Sequence, residues 1–185
     1  MSGTAVEERV RRPHIVHLAR RFLGALSPAA PAAADEAWAA SRLIGPERTL
    51  FASMANHDRR HAIGVARRAL ALRGDDAPDD LAAAALLHDV GKVHAGLGPV
   101  GRARATVRIA LVGRDRVRAD VARSEWTRRV ALYADHPGLG AADLRARGAR
   151  TRVAGWAEVH HDASRWSESG FDPDDAAALH AADDD

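Results

Sequence analysis

The residues able to do chemistry are histidines and aspartates, gathered at five places. His61 lies inside a helical stretch, His88 and Asp89 are adjacent in "LLHDVGK" (86 to 92), His136 precedes a proline, His160 and His161 are paired, and Asp183 opens the acidic "DDD". The chain has ten histidines and no cysteine, so a disulfide scaffold and a thiolate metal site are both excluded. Any metal must be held by nitrogen and oxygen, and imidazole with carboxylate suits a divalent ion such as manganese, iron or zinc. Adjacent helical residues point about 100° apart, so His88 and Asp89 cannot share an ion at ideal helix geometry. At a fraying last turn both can. Taken alone, the dipeptide reads first as a buried helix-end histidine beside a capping aspartate. Lys92 is the only lysine among 27 strong bases, which marks a position where a compact ammonium is wanted.

These residues need elements to position them. The chain is 46% hydrophobic but only 4% aromatic and uses alanine heavily, which favours an all-α fold of closely packed helices. Residues 13 to 26 read as a short amphipathic helix with Pro13 in its first turn. "SPAAPAAA" (27 to 34) is a linker, and a second short helix covers 35 to 44 before Gly45 and Pro46 stop it. Residues 47 to 73 predict one long helix carrying His61. Residues 79 to 90 are apolar almost all round, predicting a central helix that stops at Gly91. A glycine-rich loop (94 to 101) follows, then basic helices at 102 to 112 and 117 to 134. "DHPGLG" (135 to 140) reads as a turn before a helix at 140 to 147. Further helices cover 150 to 161 and 173 to 183, with a loop between them. The expected organisation is an N-terminal helical extension and linker (1 to 46) and one helical domain (47 to 185).

Charge separates along the chain although the net value is only +2. Residues 102 to 129 are arginine-rich and 172 to 185 acidic. The basic run reads first as a solvated helix face and gives no strong nucleic-acid signal. Peripheral membrane or protein contact through 14 to 26 or 104 to 112 is the second reading. No run approaches the roughly 18 apolar residues of a membrane span, and the N-terminus lacks a signal-peptide pattern. A cytoplasmic protein is expected.

The order "HAIGVA" (61 to 66), "LLHDVGK", "HPGLGAADL" (136 to 144), "HH" and "LHAADDD" (179 to 185) resembles the HD-domain superfamily of metal-dependent phosphohydrolases over residues 55 to 185. The resemblance implies a helical bundle of the HD type with residues 1 to 46 appended. It implies His61, His88, Asp89 and Asp183 as one metal site, with Asp89 able to bridge two ions. It also implies Lys92 near the substrate phosphate. His136, His160 and His161 resemble the added histidines of a two-metal branch that cleaves cyclic dinucleotides. That branch carries "GYP" after its "HHE"; here the run is "HHDASRWSESGF", with "GFDP" as a degenerate echo.

The activity implied by the resemblance is that of a phosphohydrolase or phosphodiesterase acting on a nucleotide or other small phosphate ester, with metal-activated water attacking phosphorus. One or two divalent ions (manganese, iron, zinc or magnesium) would serve it. Asp89, Lys92 and His136 take the catalytic roles. Lys92 and Arg102 take substrate-binding roles, Arg102 and Arg104 reaching a second phosphate from the glycine loop. The alternative is a non-catalytic metal- or nucleotide-binding regulatory module. His57, one turn before His61, and His94, beside Lys92, are secondary candidates, and Asp184 substitutes for Asp183 if the register shifts. His14, His17 and His180 read as structural.

Overall fold

The structure, a computed structural model, describes residues 29–121 and 123–184. The helix expected over 13 to 26, with His14 and His17, lies outside the described residues. Among the described residues there is no strand. The α-helices are α1 (Ala33–Arg42), α2 (Gly45–Ser53), α3 (Asn56–Arg73), α4 (Leu81–Leu87), α5 (Pro99–Val112), α6 (Arg114–Ala119), α7 (Glu125–Ala134), α8 (His136–Ala146), α9 (Thr151–Val159) and α10 (Pro173–Asp184). Short 3₁₀ turns at Gly74–Asp76, Val90–Ala95 and Ala163–Ser169 join some of them. The all-α expectation holds. Among the described residues, no helix is long and apolar enough to cross a membrane.

The centre is α4. All seven of its residues are buried, and it packs between α3 and α9. Four are alanines, whose small side chains let neighbouring helix backbones come close, while Leu81, Leu86 and Leu87 fill the remaining space. Burying each leucine is worth about 1.5–3 kcal/mol.

Arginine cross-links fix the surrounding helices. Arg68 of α3 donates from Nε and Nη2 to the Ala182 carbonyl at 2.9 and 2.7 Å, satisfying an end of α10 that would otherwise lack a partner. Arg73 holds the other end of α10 through Asp175 at 2.7 Å. Glu47 is fully buried and accepts from Arg150 at Nε (3.0 Å), Nη2 (2.6 Å) and the backbone N–H (3.1 Å), tying α2 to the start of α9.

Several expected boundaries are corrected. Residues 47 to 73 are two helices, because Met54 and Ala55 take extended backbone (ψ 150° and 152°) while the Met54 side chain enters the core. Gly45 and Pro46 begin α2 rather than ending α1; proline lacks only an N–H that has no partner in a first turn. By the same rule Pro137 sits in the first turn of α8, so "HPGLG" is helix and not a turn. The loop expected at 94 to 101 is partly 3₁₀ turn and partly the start of α5. The helix expected over 117 to 134 divides after Ala119 and restarts at Ser124, whose hydroxyl accepts from Thr127 N at 3.1 Å.

Gly91 has a role other than the helix stop expected for it, since α4 already ends at Leu87. A Cβ on Gly91 would collide with the His136 carbonyl and stand 2.6 Å from Gly140 N; one on Gly140 would stand 2.8 Å from Gly91 N. The two glycines therefore let the turn after His88-Asp89 lie backbone to backbone on α8.

A second, smaller apolar cluster joins α5, α6 and α7 through Ala105, Val117, Val130, Ala131 and Ala134. Its outer face is left open: Val107 is 58% and Leu111 78% exposed.

Candidate metal centre

His88 is the first residue past α4 and keeps helical backbone (φ −54°, ψ −35°), whereas Asp89 departs from it (φ −101°, ψ 7°). This bend turns both side chains to one point, with His88 Nε2 3.3 Å from Asp89 Oδ2. His160 is the first residue past α9, and His136 opens α8. Each of these three rings presents Nδ1 to the carbonyl three residues earlier: His88 to Ala85 at 2.8 Å, His136 to Tyr133 at 2.7 Å, His160 to Ala157 at 2.9 Å. A carbonyl only accepts, so Nδ1 carries the hydrogen and Nε2 of the neutral ring is a bare lone pair aimed inward.

The ligand atoms form two groups. Those of His61, His88 and Asp183 lie within 4.8 Å of one another, as do those of Asp89, His136, His160 and His161. Asp89 faces both. Its Oδ2 looks to His88, while its Oδ1 lies 3.1 Å from His136 Nε2 and 3.8 Å from His160 Nε2. Asp183 Oδ1 lies 2.9 Å from His61 Nε2 and 3.6 Å from His88 Nε2. Lys92 Nζ pairs with Asp89 Oδ2. The rings form a continuous chain, with centroids 5.6 Å apart for His61–His88, 5.2 Å for His88–His160 and 4.0 Å for His160–His161.

Four buried polar atoms of this His/Asp cluster have no hydrogen-bond partner: His88 Nε2, Asp89 Oδ1, His136 Nε2 and His160 Nε2. An unpaired buried polar group costs about 1–3 kcal/mol. These buried atoms converge without partners, so the geometry could hold a cation among them. The donor set fits a divalent transition ion, which takes imidazole nitrogen and carboxylate oxygen.

The titration behaviour follows from the same crowding. Burial alone would pull His88 down, but Asp89 and Asp183 beside it outweigh this and hold it well above the usual histidine range. Burial alone would raise Asp89, yet Lys92 and His88 hold it well below the carboxylate range. Burial also works against Asp183, and His88 and His61 hold it well below as well. Burial depresses His160 strongly, with His88 and His161 adding to it, and lowers His61 and His136. His161 falls to about 4 through burial and His136. His61, His136, His160 and His161 are thus neutral beside anionic carboxylates, the states that bind metal, whereas His88 must release its proton to do so.

The remaining candidates sit apart. Arg102 does not project from a flexible loop: it lies in α5 and makes a two-point pair with the buried Asp58, Nη2 to Oδ2 at 2.8 Å. Its guanidinium is held by that carboxylate in α5 rather than carried on a loop. Arg104 stacks over Trp126 at 5.0 Å. His57 Nε2 rests 3.3 Å from Asp58 Oδ1. His94 pairs with Asp143 at 2.7 Å, and Asp184 with His180 at 3.2 Å, so neither joins a metal group. Sequence reasoning missed the carbonyl partners of the three Nδ1 atoms. Their signal was present, since each histidine stands within two residues of a helix end. It missed the Arg68 cap that sets Asp183, for which a pair 114 residues apart leaves no local trace.

No protein-family model, curated protein or solved structure matches this chain. A helical protein with a buried His/Asp cluster able to hold metal is compatible with the HD-type arrangement.

Proposed function

We propose that the protein is a metal-dependent phosphohydrolase acting on a nucleotide or another small phosphate ester. The observation that carries the reading is the convergence of His88 Nε2, Asp89 Oδ1, His136 Nε2 and His160 Nε2, all buried and all without a hydrogen-bond partner. His61, His88 and Asp183 would hold one divalent ion, and His136, His160 and His161 a second, with Asp89 shared. Such an ion supplies Lewis acidity toward a phosphoryl oxygen and lowers the pKa of its water toward about 7.

The chain's own residues do the rest. Asp89 is anionic and held from both sides, so it orients the groups around it and accepts a hydrogen bond from an attacking water. Lys92, 18% exposed at the edge of the cluster, offers its ammonium to a non-bridging phosphate oxygen. With one ion only, His136, locked by the Tyr133 carbonyl with Nε2 inward, is instead in place to hold or pass a proton. The non-catalytic module uses the same ligands and differs in turnover.

The test is metal analysis of purified protein, followed by phosphomonoester and phosphodiester assays with and without manganese, iron or zinc. The expected result is one or two divalent ions per chain and manganese-, iron- or zinc-dependent release of phosphate or alcohol, lost in His88→Ala. Metal without turnover on any ester would leave the regulatory module; no metal at all would end both readings.

A further inference from the structure

Helix α5 presents apolar side chains to the outside. Of its 14 residues only Ala105 is buried. It grips the bundle through Ala105, the half-buried Ile109 and two arginine pairs, Arg102 with Asp58 and Arg108 with Asp120 at 2.7 Å. Its other large apolar residues point away: Val107 and Leu111 are the most open of them, and Val100 and Val112 are exposed as well. Val100, Arg104, Val107 and Leu111 follow one another at helical spacing and so share one face. Arg104, Val107, Arg108, Leu111 and Val112 line an open groove against Trp126 of α7, and no carboxylate lines it. Arg104 has no carboxylate partner among the described residues and stacks over the Trp126 ring at 5.0 Å. Single exposed apolar residues are ordinary on a protein surface, whereas a contiguous set on one helix face marks a contact.

The segment around this face is positively charged. Between Pro99 and Ala134 stand nine arginines and three carboxylates, Asp115, Asp120 and Glu125. Two of the arginines, Arg102 and Arg118, are held by Asp58 and Asp135 from outside the segment. Counting those partners leaves nine positive charges against five negative, an excess of four. An apolar stripe flanked by arginines and a tryptophan suits the boundary between a bilayer and water. The valines and leucine enter among the headgroups, the guanidinium groups stay at the charged surface and the indole sits between. Like charge argues against two other occupants. Residues 13 to 26, which lie outside the described residues, hold Arg20 and Arg21 and no acid, and a second copy would bring the same excess. Duplex DNA would answer the charge but not the apolar stripe. We propose that the outer face of α5 docks on an anionic lipid surface, as a peripheral contact.

The experiment is co-sedimentation of the full chain with vesicles of equimolar phosphatidylserine and phosphatidylcholine, and with phosphatidylcholine alone, at about 0.1 M and about 1 M salt. Binding is expected on the anionic vesicles and should weaken at the higher salt. The double variant Val107→Ser, Leu111→Ser should lose at least about ten-fold in affinity, because two apolar side chains no longer enter the lipid. Arg104→Glu should lose at least about five-fold. These residues are exposed, so the variants should keep the melting temperature and metal content of the wild type. Since the chain has no cysteine, Leu111→Cys can carry a polarity-sensitive dye at one defined position, and its emission should shift to the blue on the anionic vesicles. Equal binding to both vesicle types, undiminished binding by the double variant or an unmoved dye would overturn the proposal. So would binding of duplex DNA, or self-association, in place of vesicle binding.

Discussion

The two apolar clusters use one vocabulary of alanine, valine and arginine to opposite ends. Around α4 every helical position is buried, and arginines Arg68, Arg73 and Arg150 reach inward to cap helices or meet buried carboxylates. Around α5 to α7 the core is a handful of residues, Leu111 stands 78% exposed, and arginines such as Arg128 and Arg129 pair at the surface with Glu125. The difference teaches where positional precision comes from. Seven ligands can converge to within a few ångströms only if the helix ends carrying them cannot drift, and dense packing supplies that restraint. The arginine-rich side has no such task and is free to face water.

The comparison can be broken most directly in α4. Leu86→Ala should cost about 2–5 kcal/mol in chemical denaturation, the range for a large cavity in a close-packed core. A loss below about 1 kcal/mol would mean that the main core is no tighter than the other. Metal should sharpen the contrast next. A divalent ion at 100 times its dissociation constant adds about 2.7 kcal/mol, which raises the melting temperature by about 5–10 °C for a domain of this size. Scanning with manganese, then with excess chelator, reads it, and the gain should vanish in Asp89→Asn.

Glu47 gives a pH signature of the buried arginine contacts. Burial works against its charged form, but Arg150 and the Ile44 N–H hold its folded pKa below the ordinary 4.5. A depressed carboxylate contributes stability that is present above its unfolded pKa and is lost as pH falls through the folded value. Acid unfolding below about pH 4.5 should therefore be less steep in Glu47→Gln, which should itself cost about 1–3 kcal/mol at neutral pH. The smallest effect belongs to the open face: Leu111→Ser should change stability by less than about 0.5 kcal/mol. A larger loss, read in the same denaturation series, would show that this side too is packed.

Much of the fold was legible because its signals are local. The apolar run of α4 and the prevalence of alanine pointed to a central helix in an all-α protein, and spacing singled out the histidines and aspartates that the structure gathers. The failures share a cause. Met54 and Ala55 are ordinary helix residues, and the break between α2 and α3 comes from how Met54 enters the core. Pro137 reads as a turn in the sequence although a proline at a helix start is equally permitted. The Asp58–Arg102 pair and the Arg68 cap depend on residues 44 and 114 positions apart.

The contact between Gly91 and Gly140 has a consequence for genetics. Neither residue carries a functional group, yet one added methyl at either would wedge the turn bearing Asp89 and Lys92 away from the helix that begins with His136. In a library of random single substitutions screened for loss of function, these two positions should score beside the histidines, and a map of intolerant sites would place two residues with no side chain at the heart of the chemistry.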